Sequence, residues 1–273
     1  MNPDAHEPAP DASAGAAHLP VTRDGHAAVL TIDRAEKRNA MTAGMWAALP
    51  EVLAGPAANP EVRVLVVTGA GPSFCAGADL AGLLGGDDPL DPMADLRAHN
   101  LAAQAALRDF PKPTIAMIRG HCIGGGVEIA AACDLRFADP GSVFGVTPAK
   151  VGIVYPPSST RALVDLVGPA TAKYLLYSGE LVDAATALRT GLVDRVVEGD
   201  GLEAEVRRFS EVLAARSALT QRATKEVVAA LADGRDAEAV VAPWYRATIA
   251  GGELPEGVAA FAGRRPPRFG WTG

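Results

Sequence analysis

Two glycine-rich segments and one glutamate carry the chemistry that this sequence suggests. Residues 73–80 read SFCAGADL, and residues 120–128 read GHCIGGGVE, which ends in Glu128. Because glycine has no Cβ, the main chain of each segment can approach a ligand closely and direct a backbone N–H at it. Two such N–H groups aimed at one oxygen would form an oxyanion hole, and Glu128 would be the proton-transfer group beside it.

The elements that must position these segments follow a repeating β/α pattern. Residues 62–69 (VRVLVVTG) and 114–118 (TIAMI) are apolar runs typical of strands buried on both faces of a parallel sheet. We expect a helix around 96–110 and another over about 127–133, directly after the glycines. The order of strand, glycine turn, helix and strand predicts an α/β fold with right-handed crossovers.

The chain is expected to contain three regions. Residues 1–17 are rich in Pro, Ala and Asp and predict a disordered leader. Residues 18–200 predict the β/α core, which begins with a β-hairpin over 21–33. Residues 201–273 predict a C-terminal helical region, and one short strand over 191–197 interrupts the helical patterns that precede it.

Composition and charge exclude several functions. The chain has 273 residues and a net charge of −7, with no run of five basic residues, so we expect no nucleic-acid partner. It has no apolar stretch of about 18 residues, so we expect no transmembrane helix. Cys75, Cys122 and Cys133 are odd in number and lack a CxxC spacing, which favours free thiols. Together with the missing targeting signal, they predict a cytoplasmic protein.

A glycine turn before a helix can stabilise either a phosphate or a developing oxyanion. The phosphate-loop pattern GxxxxGK[ST] and the strict dinucleotide pattern GxGxxG are both absent from the sequence. The oxyanion interpretation is therefore favoured for the segments that surround Glu128.

These segments, with further motifs, resemble the crotonase superfamily, the enoyl-CoA hydratase/isomerase family. The resemblance covers roughly residues 18–270 and includes residues 33–41 (DRAEKRNAM), 144–145 (FG) and 178–193. It implies a crotonase-type β/β/α spiral core with a C-terminal helical trimerisation region, assembled as a homotrimer or a dimer of trimers. It also implies an acyl-CoA thioester as substrate, so that coenzyme A arrives with the substrate and neither a permanently bound cofactor nor a metal is expected.

The resemblance assigns roles to individual residues. The backbone N–H groups of Ala78 and Gly125 would hold the thioester oxygen, and Glu128 would act as acid and base. The residues that would contact the acyl-CoA are Lys37, Arg38, Ala40, Ala76, Ala78, Asp79, Leu80, Ala81 and Gly125. The tail arginines Arg264, Arg265 and Arg268 either add positive charge for coenzyme A or belong to a solvated, weakly ordered terminus.

One segment departs from the family pattern. Where family hydratases carry FGxPExxxG, residues 144–152 read FGVTPAKVG, so Pro148 takes the place of a second glutamate. A proline side chain transfers no proton, and losing one general acid or base typically costs about 10²–10⁴ in rate. Ordinary two-glutamate hydration is therefore not expected. The next loop, YPPSST over 155–160, introduces hydroxyls, and Tyr155 either replaces the missing acid or only fills space and bonds locally.

Two classes of function stay open from the sequence. The first is an enzyme that stabilises a thioester enolate, whether for hydration, double-bond migration, decarboxylation or thioester hydrolysis. The second is a non-catalytic acyl-CoA binder that kept the amide pair and lost the acid. Pro148 favours the binder, whereas Glu128 favours the enzyme, because a binder gains nothing from a carboxylate beside a thioester. We prefer the enzyme.

Overall fold

The computed structural model describes residues 12–79, 93–198 and 201–272, and the elements below are those of these ranges. The strands are β1 Val21–Asp24, β2 Ala27–Ile32, β3 Val64–Gly69, β4 Thr114–Ile118, β5 His121–Ile123, β6 Leu135–Ala138, β7 Val143–Gly145, β8 Leu181–Asp183 and β9 Arg195–Val196. The helices are α1 Ala12–Ala16, α2 Ala43–Ala58, α3 Ala94–Arg108, α4 Gly125–Ala132, α5 Pro148–Val151, α6 Pro157–Ser178, α7 Ala184–Thr190, α8 Leu202–Ala214, α9 Ala218–Ala232, α10 Ala237–Ala250 and α11 Glu253–Ala262. Within the ranges described, none of these helices combines the length and apolar character that crossing a membrane requires.

The larger sheet has the strand order β1-β2-β3-β4-β6-β9. β1 and β2 form the predicted antiparallel hairpin, and every other pair in this sheet is parallel. The apolar runs at 62–69 and 114–118 form strands because both of their faces are covered, as predicted. Leu65 and Val67 belong to the main core with side chains of α2, α3, α4 and α6, while Val64 and Val66 pack with α8 on the opposite face.

A second, smaller sheet has the order β5-β7-β8. β5 pairs parallel with β7, and β7 pairs antiparallel with β8. The sequence predicts a turn over 120–126 and no strand over 181–183, and both predictions are wrong for these three-residue strands. Such strands are too short to show an alternating pattern, and their position depends on long-range pairing. β5 matters for function because it leads directly into the three glycines before α4.

The prediction of a disordered leader is wrong for residues 12–16, which form α1. This helix packs against α2, and a Cβ atom on Gly15 would clash with the backbone of Gly44. The small side chains of Ala12 and Ala16 also pack against the main core. Residues 1–11 lie outside the described part of the chain.

The C-terminal region is helical as predicted, through α8, α9, α10 and α11, although the sequence patterns did not single out the last two as individual helices. Before it, α6 consists of two helical halves, which Gly168 separates with a φ of 74°. The end of the chain is tied to α11, because the carboxylate of Glu253 accepts hydrogen bonds from the backbone N–H groups of residues 270 and 271. Arg265 forms a two-pronged ion pair with Glu256 and is therefore engaged within the chain.

Candidate active site

Ala78 presents a backbone N–H that has no acceptor among the described residues. It lies in a single parallel β-bridge with Met41. The N–H of Met41 donates to the carbonyl of Gly77, and the N–H of Asp79 donates to the carbonyl of Met41, both at 2.8 Å. Because these two bonds flank Ala78, they fix its peptide while leaving its own N–H unpaired within the part of the chain that the structure describes.

Gly125 presents a second N–H next to the first, and this one also has no acceptor in the described ranges. It is the first residue of α4, and the first N–H groups of a helix have no intrahelical acceptor. The preceding Gly124 has a φ of 52° and donates to the carbonyl of Gly145 at 2.8 Å, which fixes the turn. A Cβ atom built on Gly125 would lie 3.3 Å from the Ala78 nitrogen, and one built on Gly77 would lie 3.3 Å from the Gly125 nitrogen. The two amides are therefore neighbours.

The structure brings the two glycine-rich segments into direct contact. The N–H of Cys75 donates to the carbonyl of His121, and the N–H of Ile123 donates to the carbonyl of Cys75, both at 2.9 Å. A Cβ atom on Gly126 would lie far inside van der Waals contact with the Cys75 carbonyl, so only glycine fits there. This close approach sets the separation of the two amides.

A third segment is fastened to the same place by Asn39, which is 0% exposed. Its Oδ1 accepts from the backbone N–H of Arg34 at 2.9 Å. Its Nδ2 donates to the carbonyls of Ala70 at 2.8 Å and Ser73 at 2.6 Å. Asn39 thus joins the DRAEKRNAM segment to the loop that leads into Ala78.

This junction places the cations Lys37 and Arg38 beside the amide-bearing segment. The N–H of Ala76 donates to the carbonyl of Arg38 at 2.9 Å. Both cationic side chains are exposed, and neither is in an ion pair with another described residue. Local positive charge is therefore available despite the net charge of −7.

Asp79 and Ala40 are bridged by one arginine. Arg34 donates to the Asp79 carboxylate at 3.0 Å and to the Ala40 carbonyl at 2.7 Å. The Asp79 charge is thereby compensated inside the protein, next to the Ala78 amide. Leu80 and Ala81, predicted to contact the ligand, lie outside the described residues.

Glu128 lies in the first turn of α4 and is 6% exposed. Its Oε2 accepts a hydrogen bond from Nδ2 of Asn100 at 2.8 Å. Burial raises the pKa of Glu128, and the side chains of Asn100 and Ser159 partly oppose that rise. The Ser159 hydroxyl also lies within hydrogen-bond distance of Gln104 Oε1, at 3.1 Å. The carboxylate is therefore buried, oriented and more basic than a solvent-exposed glutamate.

The polar groups behind Glu128 were missed by the sequence reasoning. Gln104 Nε2 donates to Asn100 Oδ1 at 2.6 Å and to the Ser159 hydroxyl oxygen at 3.0 Å. Asn100 and Gln104 are four residues apart and share the buried face of α3 with Leu96 and Leu107. Two amides on an otherwise apolar helix face were the available signal.

Tyr155 contacts the glycine turn, and Pro148 follows Gly145, which accepts the N–H of Gly124. The Tyr155 hydroxyl donates to the carbonyl of Gly124 at 3.4 Å. Burial raises the pKa of Tyr155 well above its usual value, and the charge of Glu128 adds to that rise, so Tyr155 keeps its proton at neutral pH. Pro148 begins α5, where its fixed φ fits the first helical position. No second carboxylate of the described residues is among the groups that shift the pKa of Glu128.

Comparison with known proteins identifies the family. The model of the enoyl-CoA hydratase/isomerase family matches residues 22–271. This chain belongs to that family, within the crotonase superfamily. The resemblance found in the sequence is thereby confirmed.

Relatives of known name carry out several reactions on acyl-CoA substrates. The chain is 35% identical to (E)-benzylidenesuccinyl-CoA hydratase of Thauera aromatica, over 92% of this chain and 99% of the relative. It is 31% identical to the peroxisomal Δ(3,5)-Δ(2,4)-dienoyl-CoA isomerase of Arabidopsis thaliana, over 88% and 91%. Among solved structures, an enoyl-CoA hydratase/carnitine racemase of Magnetospirillum magneticum superimposes with a TM-score of 0.88 at 32% identity, covering 93% and 95%. The α/β fold is therefore that of the family, and the relatives include both hydratases and isomerases.

Proposed function

We propose that this protein converts an acyl-CoA thioester through an enolate that the N–H groups of Ala78 and Gly125 stabilise while Glu128 transfers a proton. The observation that carries the proposal is the pair of neighbouring, unpaired amides beside a buried carboxylate. A thioester oxygen gains negative charge when the α-carbon is deprotonated. Preorganised N–H donors stabilise that charge, and one such donor is typically worth about 10²–10³ in rate.

Glu128 suits the proton transfer because its pKa is raised by burial towards the working pH. Tyr155 is proposed as the second proton donor, since it keeps its proton and lies beside Gly124. It would then serve where Pro148 has replaced the family's second glutamate. With one carboxylate, double-bond migration needs only Glu128, whereas hydration needs Tyr155 as well.

Recognition of coenzyme A is proposed for the segments that flank the amide pair. Lys37 and Arg38 are exposed cations suited to its phosphates. The remaining ligand-contacting residues in this proposal are Ala40, Ala76, Asp79, Leu80 and Ala81. The chemistry needs no permanently bound cofactor, because coenzyme A arrives as part of the substrate. The buried free thiols of the three cysteines fit a reducing compartment such as the cytoplasm.

The proposed assembly is a homotrimer or a dimer of trimers, built on a spiral β/β/α core by the C-terminal helices. Helices α9, α10 and α11 expose large apolar side chains, as expected of an interface. These side chains are Val228, Leu231, Tyr245, Ile249, Leu254, Val258 and Phe261.

The test of the proposed function follows the α-proton directly. Wild type, Glu128→Gln and Tyr155→Phe are incubated in D₂O with crotonyl-CoA for hydration and with but-3-enoyl-CoA for double-bond migration. Turnover and deuterium at the α-carbon are read by mass spectrometry, and acyl-CoA binding is measured by calorimetry. We expect Glu128→Gln to lose at least about 10²-fold in turnover while still binding acyl-CoA.

Two results would change the assignment. If wild type binds acyl-CoA but shows neither turnover nor exchange with either substrate, the protein is a binder and the enzyme proposal fails. If Tyr155→Phe hydrates crotonyl-CoA at the wild-type rate, Tyr155 is not the second acid.

A further inference from the structure

Glu128 is backed by a closed set of polar side chains that the proposed proton transfer does not itself use. Asn100 and Gln104 come from α3, and Ser159 comes from the first turn of α6. All three are buried, with exposed fractions of 7%, 6% and 3%. Burying polar groups without partners is costly, so a buried set of this kind has to be internally satisfied.

The hydrogen-bond directions in this set follow from donor and acceptor counting. A carboxylate only accepts, so Asn100 presents its Nδ2 to Glu128 and its Oδ1 away from it. Gln104 Nε2 donates one hydrogen bond to this Asn100 Oδ1. With its second hydrogen, the same NH₂ group donates to the Ser159 oxygen. This leaves the Ser159 proton free to turn either to Gln104 Oε1, at 3.1 Å, or to Glu128.

We infer that Asn100, Gln104 and Ser159 form a positioning cradle that orients Glu128 and directs its proton to Oε1. The inference rests on the proposed function of Glu128. Oε2 is occupied by the Asn100 N–H at 2.8 Å, and a proton on Oε2 would point at that donor. Oε1 is therefore the oxygen that takes and returns the substrate proton. The cradle also stabilises the ionised form of Glu128 against its burial.

Among the described residues, the titratable groups whose pKa values respond to the charge of Glu128, Tyr155 and Cys75, are uncharged. Tyr155 precedes α6, and Cys75 lies in the first glycine-rich segment. Burial raises the pKa of Cys75 to about 12 and that of Tyr155 well above its usual value. Both keep their protons where a carboxylate titrates, so an acid limb in the pH profile reports on Glu128.

The test replaces the donor without changing its size. Asn100→Asp presents a second carboxylate to Oε2, and we expect the acid limb of kcat/KM to move up by about one pH unit or more. On that limb kcat/KM falls about tenfold at a given pH, while KM for the acyl-CoA stays within about twofold. Asn59→Asp is the matched control, because Asn59 caps the C-terminal end of α2 and, among the described residues, its Oδ1 accepts only the N–H of Glu61. It should leave the profile unchanged.

A second pair of variants covers the case in which Asn100→Asp does not fold. Ser159→Ala removes one donor and should move the limb upward by less, whereas Ser159→Thr keeps the hydroxyl and should restore it. Infrared spectra, with Glu128→Gln as the subtraction, follow the protonated carboxyl against pH and need no turnover. If wild type is inactive but the infrared titration of Glu128 still shifts in Asn100→Asp, the proposed function is wrong and the cradle is supported. A titration that is unchanged in folded Asn100→Asp, or in Ser159→Ala, overturns the cradle.

Discussion

Replacing Asn39 by alanine should destabilise the protein by about 4 kcal/mol. The side chain makes three hydrogen bonds of 2.6–2.9 Å, to one N–H and two carbonyls, and each contributes about 1 kcal/mol net. Asn39 also has a φ of 59°, a left-handed conformation that costs alanine about 1 kcal/mol more than asparagine or glycine. Asn39→Gly should therefore lose only about 3 kcal/mol.

Asn39→Asp separates the contribution of the side-chain acceptor from that of the side-chain donor. It keeps the acceptor for the Arg34 N–H but turns a charged oxygen towards the carbonyls of Ala70 and Ser73. We expect it to be at least as unstable as Asn39→Ala. Because Asn39 also fixes the loop that carries Lys37, all three variants should raise KM for acyl-CoA.

The assay is urea unfolding at a fixed protein concentration, since the stability of an oligomer depends on concentration. Asn59→Ala is the control, because Asn59 is half-buried and its side chain accepts one hydrogen bond, so its loss should stay near 1 kcal/mol. If Asn39→Ala lies within 1 kcal/mol of wild type, the side chain does not hold the loops. If Asn39→Gly is no more stable than Asn39→Ala, the argument from backbone conformation is wrong.

Three further predictions concern other parts of the molecule. Gly126→Ala should cost about 3 kcal/mol because its Cβ meets a backbone carbonyl, whereas Gly55→Ala, with open space around it, should be neutral or stabilising in the same urea assay. Burial raises the pKa of Glu128 above its usual 4.5, so the free energy of unfolding falls as the pH rises from the unfolded-state pKa through the native pKa, and the full cost is present above both. Glu128→Gln should therefore unfold at higher urea than wild type at pH 7, and a difference that persists at pH 4 would refute this reasoning. Phe261, at 89% exposure, should lie in the subunit interface, so light scattering should show Phe261→Asp as a smaller species, while Val21→Asp keeps the wild-type mass.

Long elements with strong patterns could be predicted from the sequence. Residues 64–67, which begin β3, are apolar at every position because helices cover both faces of the sheet, and this pattern is visible in the sequence without knowing which elements pack on it. The place of Glu128 in the first turn of a helix was also predicted, since three glycines before a helix mark a close backbone approach. In both cases the physical cause acts locally along the chain.

Features that depend on distant pairing could not be predicted. β5 and β8 have only three residues each, and their bonds to β7 define them. The sequence shows that Asn100 and Gln104 are amides on an otherwise apolar helix face, but it does not show which residues pack against that face. Only the packing of α3 against α4 and α6 brings Glu128 and Ser159 to it.

The bridge between Met41 and Ala78 has a consequence for how this site can change over time. A backbone N–H belongs to every residue except proline, so almost any small side chain at position 78 leaves the donor in place. Alanine scanning would not detect this donor, because replacing a side chain leaves the backbone N–H unchanged. Under the proposed function, affinity for a thioester oxygen depends on the path of the backbone, whereas proton transfer depends on a few replaceable side chains. A substitution such as proline for glutamate at position 148 can then remove one proton-transfer group while the backbone N–H donors remain available for a different reaction.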